Sequence, residues 1–315
     1  MKTLLAAVLL AVAFGFSAQA QKSAQKPAAK PAAQEDAQTR ITLDVANVNL
    51  LFTVTDKKGR FITDLDRDDF EVFEDKRQQK ILGFTAETDL PLRLAILIDT
   101  SNSIRDRFRF IQEAAIEFIN SVMRPHQDKS LIVSFDTQAQ LVADMLDDPE
   151  QLDNLVRDLR PGGGTSLYDA IYYACRDKLS KDQPRFQFRR AMVILSDGDD
   201  NQSQVSRDQA LEMAQKADVV IYTISTNITR IETDGDKVLK YLASETGGQS
   251  FFPFKVEDLS QSFENIANEL RHQYNLFYRP DPLKTDGSYQ TVSVRVRGRK
   301  DLVVRARKGY YAPKL

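Results

Sequence analysis

Five consecutive apolar residues, Leu94-Ala95-Ile96-Leu97-Ile98, stop abruptly at Asp99-Thr100-Ser101-Asn102-Ser103 and give way to a helical pattern. An unbroken apolar run suits a strand covered on both faces, because both sides of the pleat then meet protein rather than water. Similar strand signals recur at Ser130 to Phe135, Ala191 to Leu195 and Val219 to Ile224. Helical periodicity marks Phe110 to Met123, Tyr168 to Leu179, Arg207 to Lys216 and Leu259 to Leu270. Alternating strands and helices predict an α/β domain over residues 89–273, with a Rossmann-like, doubly wound and mainly parallel sheet. Ligands of such sheets gather beyond the carboxyl ends of the strands, so the polar residues after each apolar run are the candidates for function.

On either side of this domain the hydrophobic period becomes two. Val45, Val48, Leu50, Phe52 and Val54 precede a turn at Asp56-Lys57-Lys58-Gly59, and Phe70-Glu71-Val72-Phe73 reads as a further strand. Near the other end Tyr274 to Tyr278, Tyr289 to Arg297 and Leu302 to Arg307 read as strands, with Asp286-Gly287 as a hairpin turn. Residues 39–88 hold too few strands to close a core. Pairing with residues 274–315 predicts a smaller β-sandwich-like module built from N- and C-terminal strands, a separate C-terminal hairpin being the alternative.

Residues 1–20 have the layout of a signal peptide: Lys2, an apolar run from Leu4 to Phe16, and Ala18-Gln19-Ala20 as the cleavage site. The run is shorter than the roughly 20 residues of a spanning helix, and no later segment qualifies. Residues 21–38 are mostly Ala, Lys, Pro and Gln, a flexible linker. The expectation is an exported protein, periplasmic or extracellular, with no integral membrane segment after signal cleavage. A net charge of -2 from 43 basic and 45 acidic residues supplies no field for nucleic acid. Cys175, the only cysteine, excludes an internal disulfide and falls in a helical pattern as a buried residue. His126 and His272 stand in no catalytic context, which leaves serine or cysteine hydrolase chemistry without a base. Arg185, Arg189 and Arg190 read as solvated surface, and Asp64 to Asp69 lacks the spacing of an EF-hand.

Three segments carry the chemistry. Asp99, Ser101 and Ser103 place oxygen side chains at alternate positions beyond one strand, and Ser196-Asp197-Gly198-Asp199-Asp200 puts a carboxylate beyond another. Between them Gly162-Gly163-Gly164-Thr165-Ser166 gives the backbone freedom to bring a hydroxyl close before the next helix. Each segment alone has an ordinary reading, as a helix N-cap, a loop or a turn; their combination at strand ends points to a metal. An all-oxygen set suits Mg²⁺, with Ca²⁺ or Mn²⁺ as alternatives, and disfavours zinc. Asp99 and Asp197 balance the ion's charge, while neutral Ser101, Ser103 and Thr165 leave it able to accept an outside oxygen.

These residues resemble the von Willebrand factor type A (VWFA) domain family, whose metal-ion-dependent adhesion site has the pattern Asp-x-Ser-x-Ser, then Thr, then Asp. Asp99, Ser101, Ser103, Thr165 and Asp197 match it in full. Asp69-Phe70-Glu71-Val72-Phe73-Glu74-Asp75 and Arg307-Lys308-Gly309-Tyr310-Tyr311-Ala312 resemble the exported bacterial proteins called VWFA-related, found notably in Acidobacteria. The resemblance implies a metal-dependent protein-binding module for cell adhesion or interaction, its ion completed by an Asp or Glu carboxylate of a protein partner. It implies no enzyme. A Mg²⁺-dependent hydrolase, or an envelope scaffold with an internal ligand at the metal, are the alternatives.

Overall fold

A computed structural model describes residues 47–86, 90–182, 187–227, 229, 231–253 and 256–314. The signal-like segment and the linker lie outside them. The first strands are β1 (Val48–Asp56), β2 (Phe70–Glu74), β3 (Arg77–Gln79) and β4 (Ile81–Thr85). Alternate residues of β1 (Val48, Leu50, Phe52 and Val54) point into a core, and Thr53 and Thr55 on the other face are covered as well.

The α/β domain follows: β5 (Leu92–Asp99), α1 (Phe108–Val122), β6 (Lys129–Phe135), β7 (Ala139–Leu146), α2 (Pro149–Asp158), α3 (Leu167–Tyr173), β8 (Arg189–Ser196), α4 (Arg207–Lys216), β9 (Val220–Ser225), α5 (Asp234–Thr246), β10 (Ser250–Phe251) and α6 (Val256–Arg271). Its six strands run in the order β10-β9-β8-β5-β6-β7, parallel except for β7. All of β5 and β8 is buried. Leu94, Ile96 and Ile98 face a core shared with Ile111, Phe118 and Phe263, whereas Ala95 and Leu97 face Leu167, Ile171 and Leu239 on the opposite side. Helices thus cover both faces, and each large apolar side chain buried this way contributes about 1.5–3 kcal/mol. The chain leaves β5 toward β6 and returns to the other side of β5 as β8. That reversal is a topological switch point, and the crevice it opens lies beyond Asp99 and Ser196.

Four strands complete the chain: β11 (Tyr274–Tyr278), β12 (Tyr289–Val296), β13 (Leu302–Ala306) and β14 (Gly309–Tyr311). They interleave with the first four as two sheets, β13-β1-β11-β4 and β14-β12-β2-β3. Phe52, Phe70, Phe84 and Tyr274 stack between them with ring centroids 5.0–5.6 Å apart. The Asp286-Gly287 segment is not a hairpin turn, because β11 and β12 lie in different sheets; it carries the chain across the sandwich. Glu74, buried in this module, accepts hydrogen bonds from Tyr278 (2.6 Å) and Tyr310 (2.9 Å), so the two ends of the chain close on one carboxylate.

Ion pairs join the sandwich to the α/β domain, Arg305 to Glu269 and Arg307 to Asp218. Arg189 and Arg190 are not solvated: both are buried. Arg189 donates to the backbone oxygens of Leu270, in the last turn of α6, and of Gln273, just beyond it, and Arg190 donates to that of Asp182. Their guanidinium groups are buried with their stems and are bonded to backbone carbonyls outside β8, a role that a cluster of positive charge in a sequence does not disclose.

Asp128 organises the opposite, amino-terminal edge of the sheet. Its fully buried carboxylate accepts from Leu92 N (2.8 Å), Arg124 N (2.9 Å) and Arg271 Nη2 (2.7 Å), tying the start of β5 to the ends of α1 and α6. Burial pushes its pKa up, but the Arg124 and Arg271 hydrogen bonds and the backbone donors outweigh that and hold it below the ordinary carboxylate range. With the folded pKa depressed, the stability Asp128 contributes is present above about pH 4 and is lost as the pH falls through its folded value. Asp128→Asn is expected to cost about 3–5 kcal/mol at neutral pH. The deficit relative to wild type shrinks as both are acidified, which urea unfolding at pH 7 and pH 3 measures.

Candidate metal centre

The switch point brings three loops together. Asp99 ends β5 with its side chain fully buried, and both of its oxygens are engaged: Oδ1 accepts from Ser101 N (2.8 Å) and Oδ2 from Ser196 Oγ (2.6 Å). The turn that follows places Ser101 Oγ and Ser103 Oγ 2.9 Å apart, the first buried and the second exposed. A buried hydroxyl touching an exposed one forms a path from Asp99 to the surface.

The second loop carries Thr165, which is buried. Gly162 N donates to Thr100 O (2.7 Å) and Asn102 N to Gly163 O (3.2 Å), so the glycine run lies against the Asp99 turn. Gly163 has φ +75°, and a Cβ there would meet Thr137 Oγ1 at 2.5 Å, which makes glycine necessary at this position. On its other side the loop is pinned to the third: Thr165 N donates to Asn201 Oδ1 (3.0 Å), and Thr165 O accepts from Asn201 N and Gln202 N.

That third loop follows β8. Asp197 is partly exposed, and Gly198 N turns back to Ser196 Oγ at 3.0 Å. Asp200 caps α3 by accepting from Tyr168 N (3.1 Å) and also holds Ser203, so it belongs to the loop's scaffolding. Asp199 is exposed; its pKa is raised by partial burial and by the neighbouring Asp197, Asp234 and Asp236 charges.

The five candidate ligands Asp99, Ser101, Ser103, Thr165 and Asp197 therefore sit on three mutually bonded loops at one sheet edge. Among the described residues no group of three or more His, Cys, Asp or Glu converges, so the donor set here is chiefly hydroxyl. Burial raises the Asp99 pKa to about 6; hydrogen bonds from Ser101 and Ser196 oppose the rise, and the Asp197 charge adds to it. None of those influences is a cation. A carboxylate buried beside a second carboxylate and several hydroxyls fits a hard divalent cation, whose charge would offset both. Ser166 Oγ, next to Thr165, is likewise buried without a hydrogen-bond partner.

Ser196, Asn201 and Thr137 fix this geometry without being ligand candidates. No local pattern singles them out, since their roles arise from contacts between loops distant in sequence. Ser196 alone stood within a motif, as the residue before Asp197-Gly198.

The sequence model for the von Willebrand factor type A domain matches residues 94–269. The human von Willebrand factor A domain-containing protein 3B is 30% identical over 180 residues, which span 55% of this chain and 13% of that protein. Among solved structures, proximal thread matrix protein 1 from the mussel byssus, with a zinc-occupied MIDAS motif, superposes with a TM-score of 0.50 at 17% identity, covering 62% of this chain and 49% of that one. A von Willebrand factor type A structure from Catenulispora acidiphila gives a TM-score of 0.49 at 13% identity, covering 78% of this chain and 74% of that one.

Proposed function

Because the chain belongs to the von Willebrand factor type A domain family, we propose that it is an exported, metal-dependent protein-binding module, gripping an acidic side chain of its partner through a divalent cation held by Asp99, Ser101, Ser103, Thr165 and Asp197. The observation that carries this reading is the buried Asp99 carboxylate, engaged by N–H and O–H donors beside Asp197 and matched by no cationic side chain. When bound, the ion supplies a Lewis-acid position that a partner's carboxylate oxygen can fill. The hydroxyls of Ser101, Ser103 and Thr165 add no charge, so the two aspartates alone offset the ion. Mg²⁺ is the cation we assign, on the hardness of this all-oxygen set. The leader-like residues 1–20 support export to the periplasm or beyond.

Metal-dependent melting tests the reading. Mg²⁺ at a hundred times its dissociation constant adds about 2.7 kcal/mol, a rise of about 5–11 °C for a domain of this size, and EDTA reverses it. Binding of Asp- or Glu-containing peptides should then disappear in EDTA and with Asn or Gln in the peptide. An unchanged melting temperature on adding Mg²⁺, Mn²⁺ or Ca²⁺ would sink the proposal. Metal-dependent melting without metal-dependent peptide binding would mark a scaffold with an internal ligand.

A further inference from the structure

Ser196 sits at the crossing of two of the three loops. Its hydroxyl is buried at 0% exposure and donates to Asp99 Oδ2 at 2.6 Å while accepting from Gly198 N at 3.0 Å. The second contact fixes the direction of the first: an oxygen that receives the Gly198 N–H directs its single proton to the Asp99 carboxylate. Ser101 N occupies the other carboxylate oxygen at 2.8 Å, so rotation of the Asp99 side chain is opposed from both sides. Asp99 comes from the end of β5 and Gly198 from the turn after β8, and parallel pairing sets these strand ends side by side. One hydroxyl therefore fixes the orientation of one charged candidate ligand and the position of the turn that carries the other, Asp197.

From this geometry we infer that Ser196 is a positioning residue that makes the site selective for Mg²⁺ over Ca²⁺. The inference rests on the metal reading above. Mg²⁺ demands near-ideal octahedral geometry, whereas Ca²⁺ accepts irregular shells with six to eight oxygens. A clamp on Asp99 and on the Asp197 turn therefore matters most to the smaller ion. Loss of an outer hydrogen bond to a metal-ligating group typically weakens metal affinity about 10–100-fold. Asp197 accepts from Asp199 N at 3.2 Å within its own turn, and the exposed Ser103 bonds Ser101 within its own, so among the described contacts Ser196 is the side chain that ties Asp99 to the turn carrying Asp197.

Isothermal titration of the full chain with MgCl₂ and with CaCl₂ tests this, with metal-free melting as the control for folding. Ser196→Ala is expected to lose about 10–100-fold in Mg²⁺ affinity and distinctly less in Ca²⁺ affinity, so that the preference between the ions narrows or inverts. Ser196→Thr, which keeps the hydroxyl, should retain the wild-type preference. Should the alanine protein fail to fold, Ser196→Cys keeps the volume but donates weakly, and is expected to show the same bias. Mg²⁺ affinity unchanged in Ser196→Ala, or equal losses for both ions, would overturn the inference. If the wild-type chain binds neither ion, the metal reading fails itself, and titration of the wild type alone reveals that.

Discussion

Asp99→Asn is expected to raise the melting temperature of the metal-free protein and, in the same variant, to abolish the stabilisation that Mg²⁺ gives the wild type. The two effects have opposite signs because they arise from one buried charge. Without a cation, burial holds the Asp99 pKa near 6 against an ordinary value of 3.8, so ionising it at neutral pH costs about 3 kcal/mol. Asparagine has nearly the same shape. Its carbonyl oxygen can accept from Ser101 N in place of Oδ1, and its amide can donate to Ser196 Oγ, which has a second lone pair beside the one used by Gly198 N. Turning the Ser196 proton elsewhere offsets part of the gain by about 1 kcal/mol. The metal-free variant should therefore gain about 1–2 kcal/mol, or about 2–8 °C. With one of its two carboxylates gone, the site loses most of its attraction for a divalent ion, and the Mg²⁺-induced rise should vanish. Differential scanning calorimetry with EDTA and with Mg²⁺ measures both. A metal-free variant less stable than wild type, or one still stabilised by Mg²⁺, would refute the buried-charge account.

The sequence discloses unequal shares of this structure, for physical reasons. β5 and β8 are covered on both faces, so their centres, Leu94 to Ile98 and Ala191 to Leu195, are unbroken apolar runs, and the α/β class follows from them. β7 is an antiparallel edge strand with an irregular burial pattern and presents no strong period, and α2 is a short, largely polar helix that buries only Leu152 and Val156. The pairing of the chain's ends was readable because 39–88 lacks enough strands, but the route of the crossing was not: Asp286-Gly287 has a hairpin's composition and joins strands of different sheets. Arg189 and Arg190 show the same limit from another side, since their charge suggests water while their burial depends on carbonyls more than 80 residues away for Arg189. At the site, the five ligand candidates occupy short motifs next to strand ends. Ser196 meets Asp99 across 97 residues, and only the fold supplies that proximity.

Gly235→Ala should be among the most damaging small substitutions at this edge. Gly235 lies in the first turn of α5, where alanine ordinarily improves a helix by about 1 kcal/mol. Here a Cβ would stand 2.1 Å from Asp197 O and 3.0 Å from Gly198 C, both backbone atoms that no rotamer change can move. The approach is mutual, since a Cβ on Gly198, at φ +83°, would lie 2.2 Å from Gly235 O. Reaching an ordinary contact requires the loop and the helix to part by about 1 Å, an overpacking strain that costs about 3 kcal/mol. A loss of about 6–12 °C in melting temperature follows. The displaced segment is the Asp197-Gly198 turn, so Mg²⁺ affinity should fall at least about tenfold as well. Gly162→Ala is the matching control from the glycine run, because a Cβ there meets nothing within 4 Å and its φ is not in the left-handed region. Melting and Mg²⁺ titration of the two variants side by side decide the matter: Gly162→Ala near wild type and Gly235→Ala deficient in both measurements bears the packing out, whereas a Gly235→Ala protein with wild-type stability and affinity refutes it.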